Sequence, residues 1–126
     1  MKRVMIFDDD IDILEICSII LQGKGYTVFT ETSCENVIDK INRKQPQVIM
    51  MDNKIPETGG ILATQLIKQT ESTRNIPVIF FSANTNVANL KEEAQADYFL
   101  QKPFDITELE NMITLIIDKN EITPAS

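Results

Sequence analysis

Five short apolar runs punctuate the chain: VMIF at 4–7, YTVF at 26–29, VIMM at 48–51, VIFF at 78–81 and YFL at 98–100. The first, third and fourth are continuous rather than alternating, as expected for strands buried on both faces of a parallel sheet. Helical periodicity fills the gaps. Ile13, Leu14, Cys17, Ile20 and Leu21 follow a 3.6-residue period that Gly23 and Gly25 stop. A second stripe is Cys34, Val37, Ile38 and Ile41, with Ser33 as its N-cap. Leu62, Leu66 and Ile67 predict a third helix, and Val87, Leu90 and Ala94 a short fourth. Ile106, Leu109, Ile113, Ile116 and Ile117 make the last. The order is (βα)5, an α/β class that implies right-handed crossovers and a doubly wound sheet with helices on both faces. Residues 120–126 are polar and aperiodic, and are expected to form a fraying tail beyond a single domain of residues 1–119.

In sheets of this kind function collects beyond the carboxyl ends of the strands. The residues just after the runs are Asp8 and Asp9, Asp52, Ser82, and, two past the fifth run, Lys102. Asp10 and Asp12 extend the first acidic group. Adjacent carboxylates repel, so such a group is expected either on a solvated helix start or around a positive charge. Taken singly, the residues have ordinary readings: a charged N-cap, a turn serine, a solvated lysine. Three acids, a hydroxyl and an ammonium at one sheet edge point to something more specific. Oxygen ligands alone suit Mg²⁺ or Mn²⁺. A carboxylate can also attack phosphorus, and phosphoryl transfer calls for the cations and donors that a metal, Lys102 and Ser82 would provide.

Composition narrows the choice. With 126 residues, 43% hydrophobic and 25% charged, the chain is an ordinary one-domain globular sequence. A net charge of -7 argues against nucleic acid as a direct partner. There is no histidine, which removes imidazole catalysis and His-ligated zinc. Cys17 and Cys34 fall inside apolar stripes and are expected to be reduced core residues. The start MKRVMIFDDD turns acidic too early for a signal peptide, and no apolar run approaches the ~18 residues of a membrane span. The expected location is cytoplasmic.

The segments FDDDID, VIMMDNKIPETGG, VIFFSAN and YFLQKPF resemble, in order and spacing, the signatures of response-regulator receiver domains of two-component signalling. The resemblance spans residues 3 to 119. It implies a flavodoxin-like sheet of strand order 2-1-3-4-5 and phosphorylation on Asp52 by a sensor histidine kinase or histidine phosphotransfer protein. It further implies Mg²⁺ at Asp8, Asp9, Asp52 and the Lys54 backbone carbonyl, with the phosphoryl group contacted by Ser82, Ala83 and Lys102. Phe99 would be the aromatic that switches with Ser82. Pro56 and Gly60 match the loop after the phosphorylated residue, and Pro103 the proline after the lysine. A receiver standing alone is expected to signal to an output protein through its fourth helix, fifth strand and fifth helix. The chain departs from the pattern in four places. Lys54 and Asn84 occupy positions that modulate hydrolysis. Gln95 replaces a frequent glycine before the fifth strand, and Phe99 replaces the more frequent tyrosine.

Rival readings start from the same residues. A haloacid-dehalogenase-type phosphatase would use Asp8 as nucleophile and Asp10 as acid/base, but leaves Asp52, Pro56 and Gly60 without a role. A flavodoxin would need a phosphate-binding loop where this chain has four acids. A degenerate receiver would only bind partners, although every site position is filled.

Overall fold

The structure, a computed structural model, describes residues 2–55, 59–82, 87–102 and 104–122. Among these, strands and helices alternate strictly: β1 (Arg3–Phe7), α1 (Ile11–Gly23), β2 (Thr27–Glu31), α2 (Val37–Lys44), β3 (Val48–Asp52), α3 (Gly60–Gln69), β4 (Val78–Ser82), α4 (Val87–Ala94), β5 (Tyr98–Gln101) and α5 (Ile106–Ile122). All strand pairs are parallel, in the order β2-β1-β3-β4-β5. The (βα)5 reading and the strand order are both found.

The continuous apolar runs are explained by burial on both faces. Val4, Ile6, Val48, Met50, Ile79 and Phe81 point into a core closed by Leu14, Cys17 and Leu21 of α1 and Leu109, Ile113, Ile116 and Ile117 of α5. Met5, Phe7, Ile49, Met51, Val78 and Phe80 point the other way, against Val37 and Ile41 of α2, Ala63 and Ile67 of α3, and Ala94 of α4. β1, β3 and β4 therefore alternate faces at a period of two while both faces stay apolar. On the α5 side, the Tyr26 hydroxyl before β2 shares a 3.0 Å hydrogen bond with that of Thr114, 88 residues away.

Two local readings need correction, and a departure at Gln95 is accommodated. Ser33 does not cap α2: its hydroxyl accepts the Glu35 N–H at 3.0 Å and forms a turn, and the helix starts after Asn36 in a left-handed conformation. On α3 the stripe residues Leu62 and Leu66 are 60% and 47% exposed, and the buried face is Gly60, Ala63, Thr64 and Ile67. Small residues at Gly60 and Ala63 let this helix lie close to the sheet, and Leu62 and Leu66 are left outside. Gln95, in place of the usual glycine, takes φ +67 itself, and β5 still pairs Tyr98 with Ile79 and Gln101 with Ser82.

The backbone of α5 continues helically to Ile122, because extending an established helix costs far less than nucleating one. Cys17 and Cys34 are free and buried. Burial pushes their thiols up to about 11 and about 12, so both are neutral at physiological pH. No helix among the described residues is long and apolar enough to cross a membrane.

Candidate functional site

The parallel register brings the ends of β1, β3 and β4 to one edge. Asp8 follows β1 directly, and its N–H donates to the Glu31 carbonyl at 3.0 Å, prolonging the pairing with β2. Asp52 is the last residue of β3, opposite Phe81 of β4. Lys102 follows β5, and its N–H donates to the Ser82 carbonyl at 2.8 Å. Backbone pairing alone therefore positions four of the five residues that the sequence nominated, and Asp9 comes with Asp8.

The four aspartates of the first acidic group divide their tasks. Asp8 is fully buried. Asp9 is exposed at the mouth of the site. Asp10 is the N-cap of α1: its carboxylate accepts the Asp12 N–H at 3.0 Å, while its own N–H donates to Asp8 Oδ1 at 2.9 Å. Asp12 lies in the first helical turn, where the helix dipole favours an anion. Close spacing is tolerated because Asp10 and Asp12 serve the helix start, which leaves only Asp8 and Asp9 at the site.

Asp8, Asp9 and Asp52 each offer a carboxylate oxygen, and these atoms lie within 4.8 Å of one another. Lys102 Nζ lies 3.1 Å from Asp8 Oδ2 and 3.0 Å from Asp52 Oδ1, bridging the two buried acids. The same ammonium sits 4.8 Å from the centre of the Phe81 ring. Lys54 is exposed, and its N–H donates to Asp52 Oδ2 at 3.2 Å. Ser82 is buried at the end of β4, and Phe99 is 43% exposed on β5. Gly60 is packed against the Asp52 backbone. Pro56, Ala83, Asn84 and Pro103 lie outside the described residues.

The electrostatics show a site with too little positive charge. Burial raises the Asp8 pKa above the usual carboxylate value; the Asp10 N–H opposes this, the Asp52 charge adds to it and Lys102 opposes it. Desolvation wins over one ammonium. Burial by itself would lower the Lys102 pKa, but its hydrogen bonds to Asp52 and Asp8 and their charges hold it above the usual lysine value. Three carboxylates with one ammonium among them, bridging the two that are buried, and the most buried pushed towards its neutral form, can accommodate a hard divalent cation.

Two contributors were not singled out for these roles from the sequence. Asp10 fixes Asp8 through its backbone, and the signal was there: an Asx residue immediately before a helical stripe. Phe81 beneath Lys102 gave no signal, because as a strand residue it reads only as core.

The family model described as the response regulator receiver domain matches residues 4–114. Among curated proteins, the chain is 29% identical over 132 residues to the DNA-binding dual master transcriptional regulator RpaA of Synechocystis, covering 98% of this chain and 52% of that protein. The chain thus spans about half the length of the curated relatives it matches. Among solved structures, the signal receiver domain of a signal transduction histidine kinase from Syntrophus aciditrophicus superposes with a TM-score of 0.89 at 21% identity, covering 100% of this chain and 97% of that one. The receiver domain of a sensor histidine kinase from Pseudomonas aeruginosa, with a magnesium ion in its active-site cleft, gives 0.84 at 24% identity over 93% and 98%.

Proposed function

This chain belongs to the response regulator receiver domain family, and we propose that it is a phosphoacceptor module that takes a phosphoryl group from phosphohistidine onto Asp52. As a receiver domain of two-component regulators it is a signalling module. Any chemistry proposed for it is confined to its own phosphorylation and dephosphorylation.

In the proposed transfer, an Asp52 carboxylate oxygen donates an electron pair to phosphorus. The bond from phosphorus to the donor imidazole nitrogen breaks, and its electron pair leaves with the imidazole. Lys102 already lies 3.0 Å from Asp52 Oδ1, so its ammonium can meet charge on the incoming phosphoryl oxygens. Ser82, the last residue of β4, would supply a further donor, and the resemblance to the family extends that role to Ala83. Mg²⁺, or Mn²⁺ in its place, held by Asp8, Asp9, Asp52 and the Lys54 carbonyl, supplies neutralisation of the phosphoryl oxygens when bound. The magnesium in the related Pseudomonas receiver supports this choice of ion. In dephosphorylation, a separate step, water attacks phosphorus, the bond from phosphorus to the Asp52 oxygen breaks with its electron pair going to the carboxylate, and inorganic phosphate leaves.

The observation that carries this reading is the Lys102 ammonium shared between Asp8 and Asp52, beside an Asp10 that faces elsewhere. It also weighs against the phosphatase reading. Asp10, which that reading needs as acid/base, is committed to the helix cap, and Asp52, which it leaves without a role, shares the Lys102 ammonium. Signalling would then follow from the new phosphate oxygens drawing Ser82 inward and letting Phe99 turn, which biases the face of α4, β5 and α5 towards an output protein.

Incubation with acetyl phosphate and Mg²⁺ should give a base-labile acyl phosphate on Asp52 that Asp52→Asn abolishes. Label that persists in Asp52→Asn and is lost in Asp8→Asn would establish the phosphatase instead.

A further inference from the structure

We propose that Gly60 is a positioning residue for phosphoryl transfer, because its missing side chain is what lets the start of α3 rest against the peptide that carries Asp52. The inference rests on the reading of Asp52 as acceptor. Gly60 is buried, and its N–H donates to the Asn53 carbonyl at 3.2 Å. A β-carbon added there would overlap the Asp52 carbonyl oxygen outright. It would also lie 2.9 Å from the carbonyl carbon of Asp52 and 3.0 Å from the Asn53 Cα. All three are backbone atoms, so no rotamer change relieves the overlap.

One of two bodies must then move, and α3 is held firmly. Ala63 and Ile67 are fully buried in the core. The Gln65 side-chain amide donates to the Glu93 carbonyl at 2.7 Å. Lys68 Nζ donates to the Ile76 carbonyl at 3.0 Å and to the Asp97 carboxylate at 2.7 Å. The end of β3 is held as well: Asp52 is in register with Phe81 of β4, and the Asn53 N–H bonds to the Phe81 carbonyl at 3.1 Å. With both bodies held, relief of the overlap is shared, and part of it falls on the Asp52 peptide. That peptide aims the carboxylate at Lys102, and a misplacement of well under an ångström is felt in a transfer that needs in-line approach.

The neighbouring glycine provides the contrast. Gly59 caps α3 at φ +80, and a β-carbon there would meet nothing within 4 Å. Its requirement is backbone conformation alone. Gly59 therefore answers to the shape of the loop, and Gly60 to its nearness to Asp52.

The test compares the parent chain, Gly60→Ala, Gly59→Ala and Asp52→Asn for the rate of acyl phosphate formation from acetyl phosphate at saturating Mg²⁺. All are assayed in trimethylamine N-oxide, which favours the folded state, with folding followed by circular dichroism. Gly60→Ala should be slower by about tenfold or more, while Gly59→Ala, although destabilised, should stay within about twofold of the parent. A Gly60→Ala rate within twofold of the parent, or an equal loss in Gly59→Ala, overturns the proposal. So does a Gly60→Ala chain that will not fold even there, since the requirement would then belong to the whole fold. A parent that takes no label, or label surviving in Asp52→Asn, instead overturns the acceptor reading beneath it.

Discussion

Lys102 holds its ammonium 3.1 Å from the carboxylate of Asp8, a group with no solvent exposure. One cation thus compensates a buried anion while also touching Asp52. Replacing Lys102 by Met keeps the length and removes the charge, leaving two carboxylates uncompensated. The loss of folding stability should be on the order of 3 kcal/mol near neutral pH. Asp8, already raised, should rise further. A raised folded-state pKa favours folding at low pH, so the deficit should shrink as pH falls and widen as it rises past the Asp8 pKa. Saturating Mg²⁺ should recover much of the loss by binding only the folded chain. Urea titrations of both chains, with and without Mg²⁺ and across pH, check this; equal midpoints without Mg²⁺ would deny the pair any net role.

Gln95 supports a second prediction. It adopts φ +67 at the turn between α4 and β5, where its N–H bonds to the Glu92 carbonyl at 3.1 Å. A side chain in left-handed geometry is strained, and glycine relieves the strain at the cost of a more flexible unfolded chain. The net gain from Gln95→Gly should be on the order of 0.5–1 kcal/mol, read as a higher thermal midpoint. A lower midpoint would show that the Gln95 side chain makes contacts worth more than its strain.

These cases mark what could be read from the residues. Continuous runs such as VIMM and VIFF, short and alternating with helical stripes, read as strands covered on both faces, so the sheet and the residues at its edge were legible. Helix faces were less so. Counting apolar positions favours Leu62 and Leu66, but the inner face of α3 is chosen by how closely the helix must approach the sheet. That distance is set by Gly60 and Ala63, whose lack of bulk carries no hydrophobic signal. Ser33 was misread because a serine caps a helix or forms a turn with the same hydrogen bond, and only the backbone after it decides. The bridge from Lys102 to Asp8 joins residues 94 apart, and strand order brings them together.

Cys34 gives the pH prediction. Its thiol, raised from 9.0 to about 12 by burial, stays neutral in the folded chain while the unfolded chain ionises. The stability tied to a raised group is complete below the unfolded pKa and is lost as pH climbs towards the folded one. Between pH 9 and about 12, stability should therefore fall by about 1.4 kcal/mol per pH unit for this thiol. Cys34→Ala will be less stable throughout, since it opens a cavity beside Met51, whose sulfur lies 3.6 Å away. Its alkaline slope should nevertheless be shallower by that increment. Denaturant midpoints at three pH values in this range measure the difference, and parallel slopes would mean that the thiol ionises in place.

The last prediction concerns how long a phosphorylated state survives. Hydrolysis requires water in line with the bond between phosphorus and Asp52, and Lys54 stands beside that approach: it is exposed, and its N–H already donates to Asp52 Oδ2 at 3.2 Å. Its side chain can act in two opposed ways. The ammonium could stabilise charge in the transition state and speed hydrolysis. Alternatively, the ammonium can hold a phosphoryl oxygen while the four-carbon stem covers the path of the water. In the proposed mechanism the transferring group's charge is already met by Lys102 and the metal, so a further cation adds little, whereas the long stem of an exposed lysine next to Asp52 can still cover the approach. Shielding should therefore dominate. Lys54→Ala should shorten the lifetime of the acyl phosphate by about fivefold, on the order of 1 kcal/mol in barrier height. Following loss of label at fixed Mg²⁺ decides the matter: faster decay in the variant supports shielding, and an unchanged or slower decay assigns the lysine to the transition state or to neither role.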